Sequence, residues 1–146
     1  MRYVSSYFSP NRGTADILTG FIDRCVDTID VAVYSITHEK IVEALVSAKK
    51  RGVNIRVITD NTQAAGKWSK DEKLEEANIP VIRAARGWRS SMHHKFIIGD
   101  KKSVGTGSFN WTNNADKRNA ENFVIIRLKY VVDQFRKEFD TLWQSK

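Results

Sequence analysis

The sequence predicts an α/β fold in which a mixed, largely parallel central sheet is flanked by helices on both faces. Three observations predict it. Short β-branched runs alternate with stretches of helical periodicity, the connections between them are brief, and an amphipathic segment closes the chain. A succession of strand, helix, strand, helix and strand at these lengths takes right-handed crossovers, which set strands parallel and lay helices over the sheet.

The elements follow in order. Tyr3 to Phe8 reads as a short strand ending at SPNRG. From Thr14, the residues Ile17, Leu18, Phe21, Ile22, Cys25, Val26 and Ile29 recur at helical spacing. IDVAVY, residues 29–34, is a β-branched run suited to a buried strand. Thr37 is placed to cap a second helix whose inner stripe is Ile41, Val42, Leu45 and Ala48, with Gly52 placed to end it. VNIRVITD, residues 53–60, follows as a strand. The polar stretch 61–78 reads as a loop and a short helix, and residues 81–83 as a brief strand. KFIIGD and SVGTGSF form two strands joined by a turn at Gly99 to Lys102, and ENFVIIRL forms another. In the last helix Val131, Val132, Phe135, Phe139 and Leu142 face inward. With no linker, low-complexity tract or repeat, residues 1–146 read as one domain.

A net charge of +7 favours an anionic partner, either nucleic acid or an acidic membrane surface. Cys25 stands alone, which leaves no internal disulfide and no cysteine cluster for zinc; it reads as a small buried hydrophobe. No run approaches the roughly 20 apolar residues of a membrane span. MRYVSSYFSP lacks the apolar region of a signal peptide, so the location expected of the sequence as it stands is cytoplasmic, or periplasmic or exported if a leader has been removed.

The chemistry concentrates in SMHHKFIIGDKKSVGTGSFNWT, residues 91–112. Side chains of a strand alternate between faces, so His93 and Lys95 share one side while His94 points to the other. Ser108 and Asn110 share a face of the next strand by the same rule. Imidazole, ammonium, hydroxyl and carboxamide then converge with no carboxylate between them, a set suited to a phosphate whose phosphorus the imidazole attacks. Adjacent strand histidines diverge, no cysteine ligands exist and His38 is distant, so neither a metal site nor another cofactor is expected. Plainer readings stand beside these. His93 and Lys95 can be a solvated strand start, and His94 a packed or hydrogen-bonded histidine. His38, beside Glu39 at a helix start, reads as a surface residue, and Asp100 fits turn chemistry equally well.

Basic and aromatic residues interleave around this segment. Arg83, Arg86, Trp88 and Arg89 precede it, Lys67, Trp68 and Lys70 occupy an earlier loop, and Trp111, Lys117 and Arg118 follow. Such mixtures suit single-stranded nucleic acid, whose bases stack on indole while cations track the backbone. The alternative is that each Trp packs on the core and each charge is solvated; Trp111 is a candidate for the core or for a dimer contact.

The spacing His93-x-Lys95-x4-Asp100-x6-Gly107-Ser108-x-Asn110 resembles the HKD motif of the phospholipase D superfamily. NAENF with Glu121, FSP, AVYSIT and RGVNIRVITD extend the likeness over nearly the whole chain. The layout is similar to small single-motif bacterial periplasmic endonucleases and to mitochondrial phospholipase D-type nucleases, without the cysteine-rich zinc-binding insert of some animal relatives. The resemblance implies that His93 is the nucleophile forming a phosphohistidine. Lys95 and Asn110 would grip the non-bridging oxygens with Ser108 assisting, and Glu121 would hydrogen-bond an imidazole. Asp100 and Gly107 would be structural. The family uses two motifs per site, so the chain would be a half-unit completed by homodimerisation, with two copies of His93 at one phosphate. The implied activity is a metal-independent phosphodiesterase, an endonuclease on DNA or RNA with single strands favoured. The alternatives are a hydrolase of membrane phospholipid such as cardiolipin, or a nucleic-acid-binding module with little turnover.

Overall fold

The computed structural model describes residues 2–85, 87 and 89–145. In chain order the elements are β1 (Val4–Ser9), α1 (Thr14–Arg24), β2 (Thr28–Val33), α2 (Glu39–Lys50), β3 (Asn54–Asp60), α3 (Asn61–Ala64), α4 (Asp71–Glu76), β4 (Val81–Ala84), β5 (Lys95–Gly99), β6 (Ser103–Gly107), α5 (Asn113–Lys117), β7 (Glu121–Ile126) and α6 (Lys129–Gln144). Among the described residues the strands form one seven-stranded sheet in the order β1-β7-β6-β5-β2-β3-β4.

The sheet is mixed, as expected, but the expectation that it is largely parallel needs correction. β2 with β3 and β3 with β4 are parallel. The pairs β1–β7, β2–β5, β5–β6 and β6–β7 are antiparallel. Connection length decides this. Gly99 to Lys102 is too short for a crossover, so β6 folds back on β5, and the passage from β6 to β7 holds only α5. The parallel pairs are those whose connections carry α2 or α3 and α4.

Helices cover both faces. Leu18 and Ile22 of α1 and Ile41 and Leu45 of α2 pack with Val31, Val33, Ile97, Phe123 and Ile125 of the sheet. On the opposite face Val132 and Phe139 of α6 pack with Ala32, Ile58, Phe96, Ile98 and Val104. The alternation of the strands divides the two clusters, with Val31 and Val33 on one side and Ala32 on the other.

Local chemistry sets the element ends. α1 stops at Arg24, where the backbone turns extended at Cys25. Val26, which continued the helical spacing, therefore lies in the turn at 81% exposure. Cys25 is buried and its thiol contacts the Phe21 carbonyl at 3.3 Å; burial, with the Asp100 charge adding, pushes its pKa up to about 12 and suppresses the reactive thiolate. α2 begins one residue later than predicted, with His38 rather than Thr37 in the cap position. Gly52 ends the helix at φ 97°, a conformation open to glycine. The stretch 61–78 holds two short helices rather than one, the first capped by the Asp60 carboxylate. α5 was not foreseen: five residues carry no readable apolar stripe, and its start is fixed by the Thr112 hydroxyl accepting from Ala115 N–H.

Candidate active site

The site lies at one end of the sheet, where β2, β3, β4 and β6 finish and β5 and β7 begin. It lies beyond the carboxyl ends of the parallel strands, where open α/β sheets bind ligands. Lys95 opens β5 opposite Val33. The pairing runs one step further because Tyr34 N–H donates to the His94 carbonyl at 2.8 Å. The Tyr34 ring then lies 4.6 Å from the His93 ring, centroid to centroid, and 5.3 Å from Lys95 Nζ. Lys95 Nζ donates to the His93 carbonyl at 2.8 Å and sits 3.0 Å from His93 Nδ1. Burial pulls the Lys95 pKa below the usual lysine value, with the negative charge of Glu121 working against that shift. His94 takes the other face, its ring edge-on to Phe96 at 5.2 Å and its Nε2 3.8 Å from Glu138 of α6.

The second half of the cluster hangs from the β6–β7 pair. β6 ends at Gly107, before Ser108 and Asn110, yet alternation persists: Phe109 and Trp111 are buried while Ser108 and Asn110 reach outward. A Cβ on Gly107 would stand 2.2 Å from the Asn122 carbonyl oxygen, so any side chain there would part the strands. Ser108 Oγ donates to Glu121 Oε1 at 2.6 Å and accepts from Asn122 N–H at 3.1 Å. Its single hydrogen is thus engaged, and the hydroxyl holds the carboxylate rather than standing ready to donate to a phosphate. Asn119 Nδ2 donates to Glu121 Oε2 at 3.2 Å. Asn110 Oδ1 accepts from Ser35 N–H at 3.3 Å, which orients the carboxamide and leaves Nδ2 as its outward donor.

Asp100 is roughly 17 Å away along the strand. Its carboxylate accepts from the backbone N–H groups of Val26, Asp27 and Thr28 at 2.7–3.1 Å, tying the β5–β6 turn to the start of β2.

Two sequence readings are corrected here. Trp111 is 1% exposed within the core, so its indole offers no face to a base; alternation with Phe109 carries it inward. His38 is also buried, at 5% exposure, with Nε2 3.2 Å from Asp116 Oδ2 and, among the described residues, no hydrogen-bond partner for Nδ1. This pair locks α2 to α5, beside the point where Thr37 and His38 N–H both donate to the Trp111 carbonyl. His38→Ala is expected to destabilise the fold by about 1–3 kcal/mol, because Asp116 Oδ2 loses a buried hydrogen-bond partner and keeps only Lys117, at 3.7 Å, on that oxygen. A denaturant midpoint within experimental error of the parent would refute that role.

The flanking basic residues divide. Arg83 is engaged by Asp71 and Glu75. Arg86 and Trp88 lie outside the described residues. Arg89 is exposed with φ 63°. Trp68 is 70% exposed, with Lys67 Nζ 5.0 Å from its ring centre. Lys117 is exposed and 3.7 Å from Asp116, and Arg118 is exposed at the end of α5. Among the described residues no three His, Cys, Asp or Glu side chains gather into a group able to hold a metal ion.

Tyr34, Asp60 and Gln63 also belong to the site, without a motif in the sequence to mark them. Asp60, buried at 3% exposure, accepts from Met92 N–H, one residue before His93, and from Thr62 and Gln63 N–H. Gln63 Nε2 in turn donates to the Tyr34 hydroxyl at 3.0 Å. The available signals were an aspartate at a strand end and a tyrosine ending a buried run.

Fold and site together define a mixed α/β protein carrying a His-Lys-Asn cluster at the end of an open sheet. Residues 18–143 match the family model described as "Cardiolipin synthase, PLD-like domain", and the chain belongs to the phospholipase D superfamily. It is 38% identical over 133 residues to a "Phospholipase D" of Rickettsia felis, a match covering 90% of this chain and 65% of that protein. It is 34% identical over 133 residues to a "Mitochondrial cardiolipin hydrolase" of Chlamydomonas reinhardtii, covering 89% and 59%. The chain thus spans less than two thirds of these curated relatives. Among solved structures, the phospholipase D family member Nuc of Salmonella typhimurium superposes with a TM-score of 0.90 at 30% identity, covering 97% of this chain and 93% of that one.

Proposed function

We propose that the chain is a single-domain, metal-independent phosphodiesterase, an endonuclease favouring single-stranded DNA or RNA, active as a homodimer. The observation that carries it is the arrangement of His93, Lys95 and the outward Nδ2 of Asn110 around one sheet end, with Glu121 held beside them. Lys95 and Asn110 bind non-bridging oxygens and take up the charge that develops on them. Nε2 of one His93 attacks phosphorus. The bond to the leaving oxygen breaks as His93 of the partner subunit gives that oxygen a proton. Water, losing a proton to the same imidazole, then displaces the phosphohistidine nitrogen.

Protonation states assign the two roles. The ring that donates must be protonated on both nitrogens, because a neutral imidazole would be left as an imidazolate; its Nδ1 then no longer accepts from Lys95, whose ammonium keeps the His93 carbonyl. The attacking ring needs its proton on Nδ1, and a carboxylate such as Glu121 holds it there. Within one chain both oxygens of Glu121 already accept, from Ser108 and Asn119. A carboxylate oxygen has room for a further donor. Phe8, exposed on edge strand β1 next to Ser9, which pairs with Glu121, supplies apolar surface beside the half-site.

The relatives named for cardiolipin hydrolysis favour a second reading, the same chemistry on a phospholipid. The net charge of +7 serves either anionic substrate. One comparison decides: labelled single-stranded DNA and RNA against anionic lipid vesicles, each in excess EDTA. Cleavage of the strands that persists under chelation is expected. Its loss on chelation, or turnover of lipid alone, would overturn the proposal.

A further inference from the structure

We infer that the groove between Trp68 and the start of α5 is a nucleobase subsite, in which the indole stacks on a base next to the gripped phosphate while the amides of Asn113 and Asn114 meet its polar edge. The inference rests on the phosphodiesterase reading and names what that site recognises. The groove has a volume of about 410 Å³ and is lined by Thr37, Glu39, Trp68, Lys70 and residues 112–114. That is within the range of pockets that hold a small planar ligand.

Its walls belong to the frame that orients Asn110. Lys70 N–H donates to the Ile36 carbonyl at 3.0 Å, Trp111 N–H to the Ser35 carbonyl at 3.1 Å, and Thr37 N–H to the Trp111 carbonyl at 2.9 Å. Thr112 follows Asn110 by two residues, so its Cα lies no more than about 7 Å from that of Asn110. A nucleotide adjoining the phosphate held there falls beside the groove.

The lining suits a base. Trp68, at 70% exposure, leaves in water a side chain that ordinarily gains most from burial. Among the described residues, no protein hydrogen bond engages the Thr37 hydroxyl or the carboxamides of Asn113 and Asn114. A carboxamide both donates and accepts, as a base edge does. Glu39, the groove's carboxylate, is 3.5 Å from Lys73, which offsets its repulsion of a nucleotide. Stacking on indole requires an unpaired base, which assigns the groove to single strands. A membrane contact would cluster apolar groups, yet among the described residues the other large exposed apolar side chains are Tyr3 just before β1, Val4 and Phe8 on β1, Val26 in the α1–β2 turn and Tyr130 on α6.

The test pairs a protein change with a substrate change. A short single strand and its abasic counterpart of equal length are offered to the parent, Trp68→Ala and Trp68→Phe, with binding read by fluorescence anisotropy and cleavage read separately. Removing either the base or the indole is expected to weaken binding about tenfold. Removing both should cost no more than removing one, and Trp68→Phe should recover most of the loss. Full additivity, or a Trp68→Ala protein that binds both strands as the parent does, overturns the subsite. So does a Trp68→Ala protein that loses affinity only for anionic vesicles, which reassigns the residue to a membrane. Base-dependent binding through Trp68 without cleavage leaves the subsite standing and sinks the phosphodiesterase reading; cleavage without coupling does the reverse.

Discussion

His93→Ala is expected to lose at least about a thousandfold in diester cleavage, since each site would forfeit both its nucleophile and its proton donor. His94→Ala, one residue away, is expected to stay within a few-fold of the parent. The contrast follows from strand alternation. His93 lies against Tyr34 with Lys95 Nζ at its Nδ1, whereas His94 faces Phe96 and Glu138 on the α6 side. Neighbouring histidines of identical chemistry are separated only by which way the backbone turns them. Initial rates on a labelled strand, with melting curves to establish folding, check the pair. Comparable losses in the two variants would mean that the division by faces does not decide the chemistry.

Lys95→Met is expected to lose about a hundredfold to a thousandfold in rate, the magnitude associated with one donor to a charge that develops in the transition state. It is also expected to melt at a higher temperature than the parent. Burial lowers the Lys95 pKa in the folded protein. Between the folded and unfolded values the unfolded chain therefore binds more protons, and stability rises with pH through that window. Below both values the whole penalty of holding the ammonium is present, and methionine removes it. The melting advantage of Lys95→Met should therefore shrink as pH climbs through the lysine range. An advantage that is absent, or that grows with pH, would show that burial does not dominate at this position. A variant at once more stable and less active marks a side chain kept for function.

Much of this was legible in the sequence because it is local. The spacing from His93 to Asn110 places four polar groups by strand period alone, and the short Gly99 to Lys102 connection gives the β5–β6 hairpin. The same alternation argument, taken one residue further, assigns Trp111 inward with Phe109. What escaped depends on contacts between distant segments. Tyr34 reaches His93 only because β2 pairs with β5 rather than lying between two parallel neighbours. Asp60 acts on Met92, 32 residues on, and His38 meets Asp116 across 78 residues. A histidine beside a glutamate at a helix start carries no local mark of burial, and α5 is too short to show a period. The engagement of Ser108 with Glu121 was hidden for another reason: residue types state what a hydroxyl can do, while only geometry states what it is doing.

The central claim is that one active site needs an imidazole from each of two subunits, and subunit mixing tests it most directly. Parent and His93→Ala chains are unfolded together, refolded at varied ratios and assayed at constant total protein. A shared site predicts that activity follows the square of the parent fraction, so that an equal mixture retains about one quarter of the parent rate. Activity falling in simple proportion, to about one half in that mixture, would mean that each chain works alone and would contradict the account.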